Sequence, residues 1–292
     1  MLKLKKNKLM PILIIALALM MAMFGACGDS SSSASSASSD GATSSETAEP
    51  DEPEVPAITG NVAIAAAASL EKTFTEKLIP AFTAANPEVT FDGSTYDSSG
   101  KLQEQIEGGL EPAIFFSAAT KQMTALVEGG FIDAASVTNL LENQLALITS
   151  VSSDTTVTGF EDITNAKSIA IGDPASVPAG QYAQEALTSL GSWDKVSASA
   201  SLGTNVTEVL NQVAEGSAEV GIVYATDAAG LADKVKVLAI APDGSLEKPV
   251  IYPVAALIKI SDADQEAVAA FIDFLKGSEA KAIFEAAGFK VL

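Results

Sequence analysis

The chain has 292 residues, with 17 lysines, no arginine, no histidine, one cysteine and 37 acidic residues, for a net charge of −20. Without histidine there is no Ser-His-Asp triad and no histidine zinc site. The acidic balance excludes the basic patches on which nucleic-acid binding relies, and a lone cysteine excludes an internal disulfide.

In chain order, Lys3, Lys5, Lys6 and Lys8 precede an apolar run from Met10 to Phe24. This reads as a secretory signal over residues 1–26, its apolar core too short for a comfortable membrane span. Phe24-Gly25-Ala26-Cys27 resembles a bacterial lipoprotein cleavage box, with Phe24 in place of the usual Leu or Val. The resemblance implies a diacylglycerol thioether on Cys27. Residues 27–57 then form a Ser-rich, acidic linker with seven Asp or Glu, three prolines and no lysine after the cysteine. Such a segment cannot bury enough apolar surface to offset its ordering entropy and reads as a tether. Loss of the leader leaves 13 lysines against the 37 acidic residues, a charge near −24.

From residue 58 onward strand and helix patterns alternate. Strands are expected at Asn61–Ala66, Val89–Phe91, Ala113–Ser117, Gln144–Ser150, Ser168–Ile171, Val220–Tyr224, Val235–Ile240 and Val250–Ile258. Helices are expected at Leu70–Asn86, Gly100–Gly108, Lys121–Gly129, Ala179–Leu190, Val206–Gly216, Asp262–Lys276 and near Glu279–Ala287, where apolar residues recur at three and four. Repeated βα units predict an α/β fold of mostly parallel sheets flanked by helices. The length suits two lobes, 58–142 plus 250–292 and 143–249, with a ligand cleft between them at the strands' carboxyl ends.

Four segments end a strand in small or hydroxyl residues and open a helix: Ala65–Lys72, Asp97–Gln105, Gly172–Leu187 and Gly203–Gln212. A helix N-terminus carries unpaired N–H groups and about half a positive charge, so it binds anions without Arg or Lys. Singly, Ser69, Ser99 and Asn205 are ordinary N-caps. Four such dipoles aimed at one cleft would sum to roughly +2, matching a dianion. Tyr224 ends an apolar strand on the same edge, where its phenol could be packed or could donate to an oxyanion.

Enzyme motifs are incomplete. Ser69 with Lys72 fits the S-x-x-K pattern of a serine hydrolase, but so does Ser278 with Lys281, and the companion motifs are missing. Gly93–Lys101 has six residues between its glycines and Leu102 after the lysine, which departs from a phosphate loop. A carboxylate-only metal site stays open at this level.

The chain closely resembles the molybdate-binding proteins of bacterial ABC transporters from about Gly60 to Leu292. The shared stretches are AAASL (Ala66–Leu70), the Ser98-Ser99 pair before a QIE-containing helix, FSA (Phe116–Ala118), the GDP–VPAG block (Gly172–Asp194), GIVY..DA (Gly221–Ala228) and YPVA (Tyr252–Ala255). The resemblance implies the two-lobed type II periplasmic binding-protein fold with a hinged cleft. It implies oxyanion contacts from the hydroxyls and N–H groups of Ser69 and Ser99, the N–H groups of Ala179 and Val206, and the hydroxyl of Tyr224. Three positions depart from the pattern: Asp97, Gly100 and Ala113. A carboxylate at Asp97 would repel a dianion or accept a proton from a hydrogen-phosphate-like ligand, and it is expected to face solvent.

The expectation is therefore a monomeric, lipid-anchored solute-binding protein outside the cytoplasmic membrane, with no cofactor and no catalytic residue. Its ligand would be molybdate or tungstate, bound as the oxyanion rather than as a bare cation, and its partner an ABC permease. Alternatives are a receptor of the same fold for sulfate and, remotely, a hydrolase using Ser69 and Lys72.

Overall fold

A computed structural model describes residues 57–292. The predicted leader, Cys27 with its expected lipid, and almost all of the linker lie outside the described residues. Among the described residues no helix is long and apolar enough to cross a membrane.

Strands in chain order are β1 (Gly60–Asn61), β2 (Ile64–Ala67), β3 (Val89–Thr90), β4 (Thr95–Asp97), β5 (Ile114–Phe116), β6 (Thr138–Asn143) and β7 (Leu145–Ser150). They continue with β8 (Ile169–Gly172), β9 (Ser201–Gly203), β10 (Val220–Tyr224), β11 (Val235–Ile240), β12 (Val250–Ala256) and β13 (Lys290–Val291). One sheet has the order β13-β6-β12-β5-β2-β4 and a second the order β11-β7-β10-β8-β9, while β1 and β3 make a separate parallel pair. The two sheets, flanked by helices, are the two lobes of a periplasmic binding-protein fold.

Each sheet is mixed, which corrects the expectation of mostly parallel sheets. The βα units build the parallel halves, β5-β2-β4 and β10-β8-β9. The rest is antiparallel because the chain crosses between sheets at the cleft. β7 begins there, with Leu145 opposite Tyr224 at the end of β10, and the N-terminal part of β12 lies opposite the end of β6, with Val250 beside Asn143. A strand that starts where its neighbour ends must pair antiparallel. The first crossing is direct, through Gln144, and β6, which is not among the strands expected from sequence, is a strand in its own right.

Continuous apolar runs such as VGIVY in β10 are wholly buried, because helices cover both faces of the sheet. The first sheet's core is aromatic. Phe74 meets Phe116, Phe271 and Phe284 at ring-centroid distances of 5.8, 6.2 and 6.5 Å. Phe271 and Phe284 belong to the C-terminal helices Gln265–Lys276 and Ser278–Ala286, which these contacts dock on the first sheet. Residues 68–85 form one helical rod: a 3-10 turn Ala68–Leu70, a short α segment, a π turn Phe74–Leu78, and the α segment Ile79–Ala85. Pro80 lies just after the π turn; its missing N–H and its ring would break a regular ladder, and the wider turn accommodates both.

Candidate functional site

Helices start where parallel strands end. β2 runs directly into the 3-10 turn holding Ser69, and β4 leads through Ser98 into the helix Ser99–Glu107. A five-residue loop joins β8 to the helix Pro178–Ser189, with Ala179 second, and β9 leads to the helix Val206–Ala214. Tyr224 closes β10 and precedes the short helix Ala225–Ala229. Of the three expected caps, Asn205 is one: its Oδ1 accepts the Glu208 N–H at 2.9 Å. Ser99 is the first residue of its helix and Ser69 the second of its 3-10 turn, so neither stands at the cap, and their hydroxyls are left for other work.

The Ser99 Oγ, fully buried, accepts the Ala118 N–H at 2.9 Å, so its own proton is free to point elsewhere. The Tyr224 hydroxyl donates to the carbonyl of the same Ala118 over a long 3.4 Å. A residue of each lobe thus meets at Ala118. Ser69 Oγ is 3.0 Å from the Tyr252 hydroxyl, and the Tyr252 and Tyr224 rings meet edge to face at 5.5 Å.

Asn143 bears on the Ser69–Tyr252 bond, in which either hydroxyl can donate. Asn143 Oδ1 accepts the Gln144 N–H at 2.8 Å, which fixes its amide, so its Nδ2 donates to Tyr252 at 3.2 Å and to Thr226 Oγ1 at 2.9 Å. With one lone pair taken by Asn143, the Tyr252 proton is available to Ser69, and where it is used there the Ser69 proton is left for a ligand. Burial pushes the Tyr224 and Tyr252 phenols well above their ordinary range, keeping both protonated at neutral pH. Tyr252, Asn143 and Ala118 carry no local signature; YPVA was visible only as a shared string.

The remaining helix starts are joined to these by contacts across the cleft. Gly100 N–H donates to the Ser176 carbonyl at 2.9 Å, linking the Ser99 helix to the loop before Ala179. A Cβ at Gly100 would lie 2.3 Å from that carbonyl oxygen, which explains glycine where the family often has serine. Gly180, the last residue of VPAG, is held the same way: its Cβ would lie 2.0 Å from the Gly172 carbonyl, so only glycine lets the helix sit on β8. Ala179 and Val206 are 1% and 4% exposed, and their N–H groups are among those a helix cannot satisfy internally.

Asp97 is not turned to solvent. Its Oδ1 accepts from Ser98 N–H at 2.7 Å, Lys101 Nζ at 3.4 Å and Asn205 Nδ2 at 3.2 Å, the last from the other sheet. Three donors hold the carboxylate in place. Asp227, beneath Tyr224, accepts the Tyr224 N–H at 3.1 Å. Burial raises its carboxyl to about 7, and that N–H offsets part of the rise. Beside the site a groove of about 390 Å³ is lined by Glu71, Tyr96, Asn205, Glu208 and Glu215.

The hydrolase alternative loses its geometry. Lys72 Nζ donates across the cleft to the Gly230 carbonyl at 3.2 Å, while Ser69 pairs with Tyr252. Among the described residues no group of three or more acidic side chains could hold a metal ion.

Residues 62–290 match the family of bacterial extracellular solute-binding proteins. The chain belongs to that family. It is 40% identical over 205 residues to the molybdate-binding protein ModA of Escherichia coli K12, covering 68% of this chain and 77% of that protein. It is 35% identical over 228 residues to YvgL of Bacillus subtilis 168, provisionally named an ABC transporter substrate-binding lipoprotein, covering 78% and 85%. The periplasmic molybdate-binding protein of Azotobacter vinelandii has the same fold, with a TM-score of 0.68 at 24% identity over 79% of this chain and 99% of that one. Family members of this kind are transport binding proteins, and this chain is one of them, not an enzyme.

Proposed function

We propose that this protein captures molybdate, and tungstate equally well in kind, outside the cytoplasmic membrane and delivers it to an ABC permease. Cys27 carries the lipid that tethers it there, and the binding unit acts as a monomer. Residues 58–142 with 250–292 form one lobe and 143–249 the other. Ser69 and Ser99 donate from the first lobe; Ala179, Val206 and Tyr224 donate from the second.

The observation that supports this reading is the meeting of helix starts from both lobes around Ala118, Tyr252 and Ser176, with the Ser99 hydroxyl accepting from Ala118 and keeping its own proton, and the Tyr224 hydroxyl held only by a long bond. The five proposed contacts are all donors, which favours an oxyanion that is fully deprotonated at neutral pH. A ligand keeping a proton would leave its O–H without an acceptor, at about 1–3 kcal/mol. Charge-assisted bonds from fixed N–H groups are the strong kind. Sulfate, with shorter bonds to oxygen, would leave some donors unmet. Because the donors come from both lobes, binding rewards closure, and the closed form is what a permease would read.

Calorimetric titration with molybdate, tungstate, sulfate and phosphate tests this. Molybdate and tungstate are expected to bind far more tightly than the other two. Tighter binding of sulfate would move the protein to the sulfate alternative, and no oxyanion binding would remove the reading.

A further inference from the structure

Besides the Lys72–Gly230 and Tyr224–Ala118 contacts, three hydrogen bonds between side chains or peptides span the cleft near the donor helices: Asp97 with Asn205, Gly100 with Ser176, and Gln122 with Gln181 at 3.2 Å. The first differs from the others in two respects. It is charge-assisted, and such bonds are roughly twice as strong as neutral ones. It also joins the N-termini of two helices whose first residues, Ser99 and Val206, are the proposed donors.

Asn205 is committed at both ends of its amide. Its Oδ1 caps its own helix at Glu208 N–H, 2.9 Å, which fixes the Nδ2 toward the other lobe. Asp97 is committed as well, being held by Ser98 N–H and by Lys101 on the first turn of the helix that follows. A carboxylate here is an odd choice beside a dianion site, since it opposes the positive end of the Ser99 helix. It makes sense if its contact across the cleft matters more than its charge.

We propose that Asp97 and Asn205 are positioning residues that form a clasp. The clasp exists only when the lobes are shut, so it adds to the stability of the closed form and slows escape of the bound oxyanion. The ligand part of this inference rests on the proposed function; the clasp itself does not.

The two roles can be exchanged. Asn205→Asp keeps the cap, because Asp caps as well as Asn, but sets two carboxylates face to face. Asp97→Asn in that background restores one donor and one acceptor with their places reversed. Stopped-flow release and equilibrium binding of molybdate are measured for the wild type, Asn205→Asp and Asp97→Asn/Asn205→Asp. The single variant is expected to bind about tenfold more weakly, mainly through faster release, and the double variant to recover to within about threefold of wild type. Unchanged release in the single variant, or a double variant no better than the single, overturns the clasp. Should the wild type take no molybdate, the function fails, and small-angle scattering of the same three proteins still decides the clasp. It requires Asn205→Asp to be more extended than the other two, and equal dimensions overturn it.

Discussion

In the proposed site the two halves of the cleft supply donors by different means. The first lobe offers side-chain hydroxyls, Ser69 and Ser99, each held by a further hydrogen bond with Tyr252 or Ala118. The second offers backbone N–H groups at Ala179 and Val206, aimed by the helices they begin, plus one phenol. A hydroxyl rotates and needs a partner to orient its proton; a helix start needs none. The second half also carries Asp227, a partly buried carboxylate beneath the phenol. One side of the site therefore depends on the identity of its side chains and the other on backbone geometry.

Asp227→Asn gives the largest expected effect. Native Asp227 has a carboxyl near 7 against an ordinary 3.8, so the native state holds a proton that the unfolded state releases. The stability this brings is complete below about pH 4 and lost as pH rises through 7. The variant, whose amide oxygen can still accept the Tyr224 N–H, should be more stable than wild type at pH 8 by on the order of 2–4 kcal/mol and no more stable at pH 4. Urea unfolding at the two pH values measures it. A variant equally displaced at both would show that the carboxylate carries no such cost.

Gly100→Ala bears on how closely the halves approach. Its methyl would meet the Ser176 carbonyl, so closure should weaken and oxyanion affinity fall by about 2–3 kcal/mol. The fold should be kept, since that contact joins the lobes rather than filling either core. Calorimetry and thermal unfolding together separate the two outcomes.

The contrast itself is sharpened by pairing substitutions across the cleft. Ser69→Ala and Tyr224→Phe should each cost about 1–3 kcal/mol of affinity, with little loss of stability for Ser69. Val206→Ala should do the reverse, destabilising the protein through its buried side chain while leaving affinity within a few-fold, because its donor is the peptide. A large affinity loss in Val206→Ala would end the distinction. The smallest effect is expected from Tyr252→Phe. It touches no ligand but frees the Ser69 hydroxyl to turn, and about 1 kcal/mol of affinity should go with it. An unchanged titration would mean that Ser69 needs no such aim.

Much of this was legible in the chain alone, and for a local reason. Apolar periodicity placed β10 and β11 at their observed bounds and most helices within a few residues, since those patterns depend on neighbours three or four positions away. Asn205 was readable as a cap because capping spans three residues. The positions of small residues at helix starts marked the candidate donors before any coordinates. Tertiary structure decided the rest. It turned half of each sheet antiparallel, because the chain crosses at the cleft, and it drew Asp97 toward Asn205 rather than into water. It also set Tyr252 behind Ser69 and the Ser176 carbonyl against Gly100. These pairs lie some 75 to 185 residues apart, and no local pattern records a contact whose distance is set only when two sheets come together.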